Sequence, residues 1–160
     1  HLALLSHLAA VYGWNGSEES MTVQMDAEAL NAFMMAEFPQ VAAEYRVERT
    51  APMEADVRLL VSDQHLRPGG TISGPSMFSL VDLSMYVVTL AMIGPVALAV
   101  TTNCSIDFMR KPEAGRDLIG SARLLKLGKT LAVGDVLVRS VGSEAIVARA
   151  SLTYAIPPKR

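Results

Sequence analysis

Between Ala55 and Ser62 apolar and polar residues alternate: Val57, Leu59 and Val61 fall on one face, Arg58 and Ser62 on the other. A period of two predicts a β-strand with one wet face. Upstream, Leu30, Phe33 and Met34 recur at helical spacing, which predicts a helix over Asp26–Phe38. Asp26 is its candidate N-cap, Glu28 sits in the first turn and Pro39 stops it. Tyr45–Ala51 reads as a short strand between that helix and the first alternating segment.

The longest apolar run carries little polarity on any face: Met77, Phe78, Leu80, Val81, Leu83, Met85, Val87, Val88 and Leu90. It predicts a helix from about Pro75 to Met92, ended by Gly94–Pro95. A helix apolar nearly all round lies in a core or in a bilayer. Asp82 is near its middle with Ser76, Ser79 and Ser84 around it. A charge at the centre of a spanning helix is costly, which favours a core helix and no membrane partner.

Four strands are expected after it: Val96–Phe108, Leu118–Leu127, Leu131–Val141 and Ala145–Ile156, with turns at Gly128–Lys129 and Gly142–Ser143. Short turns make antiparallel neighbours. The fold class is therefore α+β: a long central helix wrapped by a curved, meandering antiparallel sheet, the arrangement that buries the most apolar area available.

At 160 residues the chain fits one core. The sheet-and-helix domain is placed at 55–160, and 21–54 is read as an N-terminal helix and connection. Residues 1–20 differ in character from the rest and are read as an expression-derived or otherwise non-native leader, with a short apolar helix over Leu2–Tyr12 if ordered. A net charge of −2 without a basic run argues against a nucleic-acid partner. An apolar fraction of 51% against 19% charged residues is high, as expected if subunits bury apolar surface against one another. The single cysteine, Cys104, excludes an intrachain disulfide and reads as a small buried hydrophobe. Three histidines and one cysteine offer no zinc-ligand spacing. No metal and no cofactor are expected, and the expected compartment is the cytoplasm.

The chemistry concentrates between His65 and Asp82. Pro68, Gly69, Gly70, Gly74 and Pro75 form a loop that delivers a helix N-terminus. Its free N–H groups carry partial positive charge suited to an oxyanion. Pro75 removes one donor and leaves the Gly74 N–H. Asp82, in an apolar helix, must find partners or take up a proton; on the residues alone it is either a structural, hydrogen-bonded carboxylate or a functional one. Eight residues of helix separate Gly74 from Asp82, about 12 Å along the axis. Two groups that far apart cannot touch one carbon. If both act together, they come from different subunits, which predicts a two-fold interface with two composite sites.

The stretch His65-Leu66-Arg67-Pro68-Gly69-Gly70-Thr71-Ile72-Ser73-Gly74-Pro75, followed by Leu80-Val81-Asp82, resembles the HxNxxGxxHGG…LxD signature of hotdog-fold acyl-CoA thioesterases of the phenylacetate-pathway (PaaI-like) type. The likeness continues through Val100-Thr101-Thr102, Ile106-Asp107-Phe108, Pro112–Gly115, Leu127-Gly128-Lys129 and Val147-Ala148-Arg149-Ala150, covering about 55–155. It implies the hotdog fold, a dimer often paired into a tetramer, and hydrolysis of acyl-CoA thioesters without a metal. It implies that Asp82 is the catalytic carboxylate, as general base or as nucleophile through an anhydride. By the same likeness Gly74 polarises the thioester carbonyl, and Thr101 orients the water or the carboxylate.

Three positions depart from the signature: Ser73 stands for His, Arg67 for Asn and Pro75 for the second Gly. Arg67 is a candidate for a substrate carboxylate, a CoA phosphate or a pairing with Asp82. His65 is a candidate site-lining residue or a loop residue bonded to backbone. Arg110, Lys111, Lys126 and Lys129 are expected to cluster at strand ends, with Arg110 and Lys129 as phosphate contacts. Met77, Phe78, Met85 and Tyr86 are the expected acyl-pocket lining. Because of the three departures, acyl-CoA binding without turnover is the alternative function. A hotdog dehydratase fits less well, since its acid would fall at Ser79. A purely structural module leaves the glycine loop and Asp82 unexplained.

Overall fold

The computed structural model describes residues 22–158; the leader and its expected Leu2–Tyr12 helix lie outside them. Helix α1 spans Ala27–Glu37 and begins where Asp26 accepts a hydrogen bond from the Ala29 N–H at 2.8 Å. Pro39 ends it and opens a one-turn helix, α2 (Pro39–Ala42), because proline lacks the N–H a helix interior needs but fits a first turn. Strands β1 (Tyr45–Ala51) and β2 (Glu54–Leu59) form a hairpin. The sheet therefore begins at Tyr45, so the boundary expected at 54/55 cuts across it. Asn31 fastens α1 to β1 by bonding both the N–H and the carbonyl of Val47.

In β2, Ala55, Val57 and Leu59 are buried and the residues between them are half-exposed. The strand stops short of the expected Ser62: Leu60 N–H still bonds to Glu44 O, but Val61 N–H is taken by the Asp117 carboxylate. A 3-10 turn, Asp63–His65, leads to the glycine loop.

Helix α3 (Gly74–Ile93) is the centre of the fold, and Gly94, at φ 91°, ends it. By length and composition it is apolar enough to cross a bilayer, but here Leu80, Val81, Met85, Val87, Val88 and Leu90 are fully covered by the rest of the chain. Its buried hydroxyls are satisfied locally: Ser84 donates to Leu80 O and Thr89 to Met85 O. Two glycines let the sheet approach this closely. A Cβ at Gly134 would sit 2.5 Å from Arg123 O and 2.9 Å from Met85 Sδ, and one at Gly120 would run into Ser84 Oγ.

Strands β3 (Val100–Phe108), β4 (Leu118–Leu127), β5 (Leu131–Ser140) and β6 (Ile146–Ala155) complete one antiparallel sheet. Its order is β1-β2-β4-β5-β6-β3. A meander of the last four strands was expected; only β4, β5 and β6 form one. β3 pairs with β6 at the far edge, and the 109–117 connection carries the chain back across the sheet to β4, beside β2. β3 also starts four residues later than expected, because 96–99 are held in turns by Val96 N–H to Gly94 O and Ala99 N–H to Val96 O.

Candidate active site

Asp82 projects from the middle of α3 toward the β3–β6 edge, where two hydroxyls meet it. Thr101 Oγ1 donates to Asp82 Oδ1 at 2.5 Å, and Tyr154 Oη donates to the same oxygen at 2.7 Å. The Tyr154 proton is shared with the main-chain oxygen of Asp82, 2.9 Å away. Thr101 and Tyr154 are direct partners in the β3–β6 register. Oδ2 accepts no hydrogen bond from the described residues and is not sealed from solvent. No cation among the described residues forms an ion pair with Asp82. Arg67 does not neutralise it, since its guanidinium has no partner among them and only its backbone is engaged.

Burial, and then the charge of Asp82, push the Tyr154 hydroxyl far above the usual tyrosine range, so it remains a proton donor at any ordinary pH. The same two causes raise the half-buried Cys104 thiol. Tyr45 is pushed up to about 12, by burial first and by the charge of Glu44 second; its hydroxyl meets Ser79.

The helix mouth is shaped by its loop. Gly69 and Gly70 hold φ of 94° and 79°, a region that glycine enters without strain. Arg67 N–H to Thr71 O, Gly70 N–H to Arg67 O and a Leu66–Ile72 bridge close the turn and hold Arg67 at its tip. Ser73 caps α3, accepting from the Ser76 N–H. Where the signature has His, Ser73 thus satisfies one helix-end donor. The Gly74 N–H has no acceptor among the described residues, and Pro75 has none to offer. A Cβ on Gly74 would meet only the Phe108 ring.

His65 is buried. Its Nδ1 accepts from the Ser62 N–H at 2.9 Å, so Nε2 carries the proton and donates to Glu44 at 2.9 Å. The loop is thereby fixed to the start of β1. A shallow depression of about 270 Å³ lies beside the helix mouth, lined by Glu44, Tyr45, His65, Ser73, Ser76 and Ser79 among others. It is polar, unlike the lining expected from the sequence. Met77, Met85 and Tyr86 are packed inside the core, and of the four expected residues Phe78 alone is exposed. The faces of α3 that carry the first three are already taken by the sheet and α1.

The expected cationic cluster does not form within one protomer. Arg110 and Lys111 follow the Phe108 end of β3, whereas Lys126 and Lys129 lie at the opposite end of the sheet, beside Leu131 and Ala155. Tyr154 was absent from the sequence-based candidates. Its one signal was a tyrosine on the inward face of the last strand. Among the described residues no group of three or more His, Cys, Asp or Glu side chains is arranged to hold a metal ion.

Comparison with known proteins agrees with this architecture. The family model "Thioesterase superfamily" matches residues 69–147. A crystal structure of a candidate thioesterase from Silicibacter sp. TM1040 is 57% identical, covers 87% of this chain and 96% of its own, and superposes with a TM-score of 0.81. A mutant form of the phenylacetic acid degradation protein PaaI from Thermus thermophilus is 29% identical over 74% of this chain and 99% of its own, with a TM-score of 0.64. Among curated proteins, mouse acyl-coenzyme A thioesterase 13 is 28% identical over 117 residues, 73% of this chain and 83% of that protein. With its six-stranded antiparallel sheet around one long helix, the chain has the hotdog fold and belongs to the thioesterase superfamily.

Proposed function

We propose that this protein hydrolyses an acyl-CoA thioester to the free acid and CoA, in a site shared by two subunits. The observation that carries the reading is Asp82, held through one oxygen with its second oxygen open, in a chain whose free Gly74 N–H lies about 12 Å up the same helix. Within one protomer the two cannot flank one carbonyl. Across a two-fold axis each helix mouth meets the other subunit's carboxylate.

Support for pairing comes from the open edge of the sheet. β3 is an edge strand of nine residues. Leu98, Val100, Phe108 and Met109 expose apolar surface along and beside it, and Phe78 does so on α3. A bare edge strand with exposed apolar side chains at both ends pairs with another chain, and a second copy of this chain supplies the missing half of the site. A dimer, or two dimers joined as a tetramer, is the working assembly of this reading.

In the composite site the thioester oxygen docks on the Gly74 N–H and the helix N-terminus behind it, where negative charge develops. Oδ2 of Asp82 then follows one of two balanced routes. As base, it takes a proton from water while the water oxygen bonds to the carbonyl carbon. The tetrahedral oxyanion collapses, the C–S bond breaks, and the proton passes to the departing CoA thiolate. As nucleophile, Oδ2 itself bonds to the carbon and expels the thiolate, and water then cleaves the anhydride. Arg67, Arg110 and Lys129 are candidates for the CoA phosphates; the last two serve one CoA only if they come from different subunits. Coenzyme A enters as part of the substrate, no cofactor is required, and the reaction is placed in the cytoplasm.

A panel of acyl-CoA thioesters read by thiol release tests the reading. Turnover of at least one member is expected, from a dimer or larger species in solution. Binding of acyl-CoA with no thiol released from any member would instead support the non-catalytic alternative raised by Arg67, Ser73 and Pro75.

A further inference from the structure

We propose that Tyr154 is a positioning residue of this site: together with Thr101 it holds Asp82 by Oδ1 and so assigns Oδ2 to the water or the thioester carbon. The inference rests on the reading of Asp82 as the reacting carboxylate. Its warrant is geometric. A carboxylate on a free side chain presents its two oxygens interchangeably by rotation about Cβ–Cγ. Here two donors from neighbouring strands converge on one of them, at 2.5 and 2.7 Å. Because Thr101 and Tyr154 are register partners, the sheet itself sets the spacing of the two hydroxyls.

Tyr154 is the firmer of the pair. Its ring is buried and packs against Tyr86, centroids 6.3 Å apart, and the Tyr86 hydroxyl is tied to Ala97 O. Its bond to the main-chain oxygen of Asp82 fixes the hydroxyl relative to the helix as well as to the side chain. The other titratable groups facing the carboxylate are Tyr45 from β1 and Cys104 from β3, and neither is a cation. The charge of Asp82 is thus held within the protomer by neutral hydroxyls alone. Loss of one donor frees the carboxylate to rotate about Cβ–Cγ and divides the reactive orientation between its two oxygens.

The test uses the full chain as wild type, Tyr154→Phe, Thr101→Val and Asp82→Asn. Phenylalanine keeps the ring against Tyr86 and removes the hydroxyl alone. On an acyl-CoA substrate turned over by the wild type, Tyr154→Phe is expected to leave KM within about threefold. It should lower kcat about tenfold through lost orientation. Thr101→Val should lower kcat in the same way. The carbon-13 resonance of the Asp82 carboxyl at neutral pH, assigned by its absence in Asp82→Asn, should move in Tyr154→Phe with no substrate present.

Wild-type kcat in Tyr154→Phe, beside an inactive Asp82→Asn, would overturn the role of Tyr154 and leave the thioesterase reading standing. An unchanged Asp82 carboxyl resonance in Tyr154→Phe would overturn it whether or not any substrate is turned over. Full activity of Asp82→Asn would overturn both.

Discussion

The ring of Phe108, at the end of β3, lies against Gly74, the first residue of α3: a methyl built on that glycine would stand 3.4 Å from Phe108 Cζ. That is ordinary van der Waals contact. The glycine is not required by backbone strain either, since its φ lies outside the left-handed region. What a methyl at 74 would crowd is the approach to the free N–H. Gly74→Ala is therefore expected to melt within about 3 °C of wild type, as for a tolerated surface substitution. Its kcat/KM should fall by about 100-fold, the scale of a lost oxyanion donor. Thermal melts beside steady-state thiol release separate the two effects.

Gly134 is predicted to be a glycine for packing alone. A Cβ there meets the Arg123 carbonyl, which is backbone and cannot rotate away, as well as Met85 Sδ. Gly134→Ala should cost about 3 kcal/mol by forcing β4, β5 and α3 apart. Gly120→Ala meets a side-chain hydroxyl, Ser84 Oγ, which has other rotamers, and should cost less. Urea unfolding of the two variants checks the order.

His65 links the loop to the start of β1 through two hydrogen bonds with little exposed surface. Replacing it with alanine leaves the Ser62 N–H and the Glu44 carboxylate without their partner and opens a cavity beneath the glycine turn. The expected cost is about 2 kcal/mol, the scale of an unsatisfied buried polar group. It is readable as a lower urea midpoint at unchanged slope.

Helix α3 was legible because its signals are local: an all-round apolar run, glycines and prolines at both ends, and one charge in the middle. Strand limits were legible to within a few residues for the same reason. Strand order was not. Nothing in the composition of Val100–Phe108 says that it pairs with β6 rather than β4, since the choice depends on where the 109–117 connection crosses the sheet. One other outcome follows from that one. Tyr154 meets Asp82 only because it is opposite Thr101, a relation that exists once β3 and β6 are neighbours. Arg110 and Lys129 lie at opposite ends of the sheet for a local reason, since one precedes β4, the other follows it, and the strand runs its full length between them. Asp82 itself stood out by composition alone, whereas the identity of its partners required the fold.

Asp82 is the residue on which the proposed hydrolysis turns. Asparagine at 82 keeps an oxygen that accepts from Thr101 and Tyr154, so Asp82→Asn should fold and associate as the wild type does. It lacks the charge that draws a proton from water or attacks a carbonyl. With the best acyl-CoA of the panel, thiol release by Asp82→Asn is predicted to fall by about 1,000-fold or more at unchanged melting temperature. Thiol release within a few fold of the wild-type rate by the folded variant would rule out Asp82 as the reacting carboxylate.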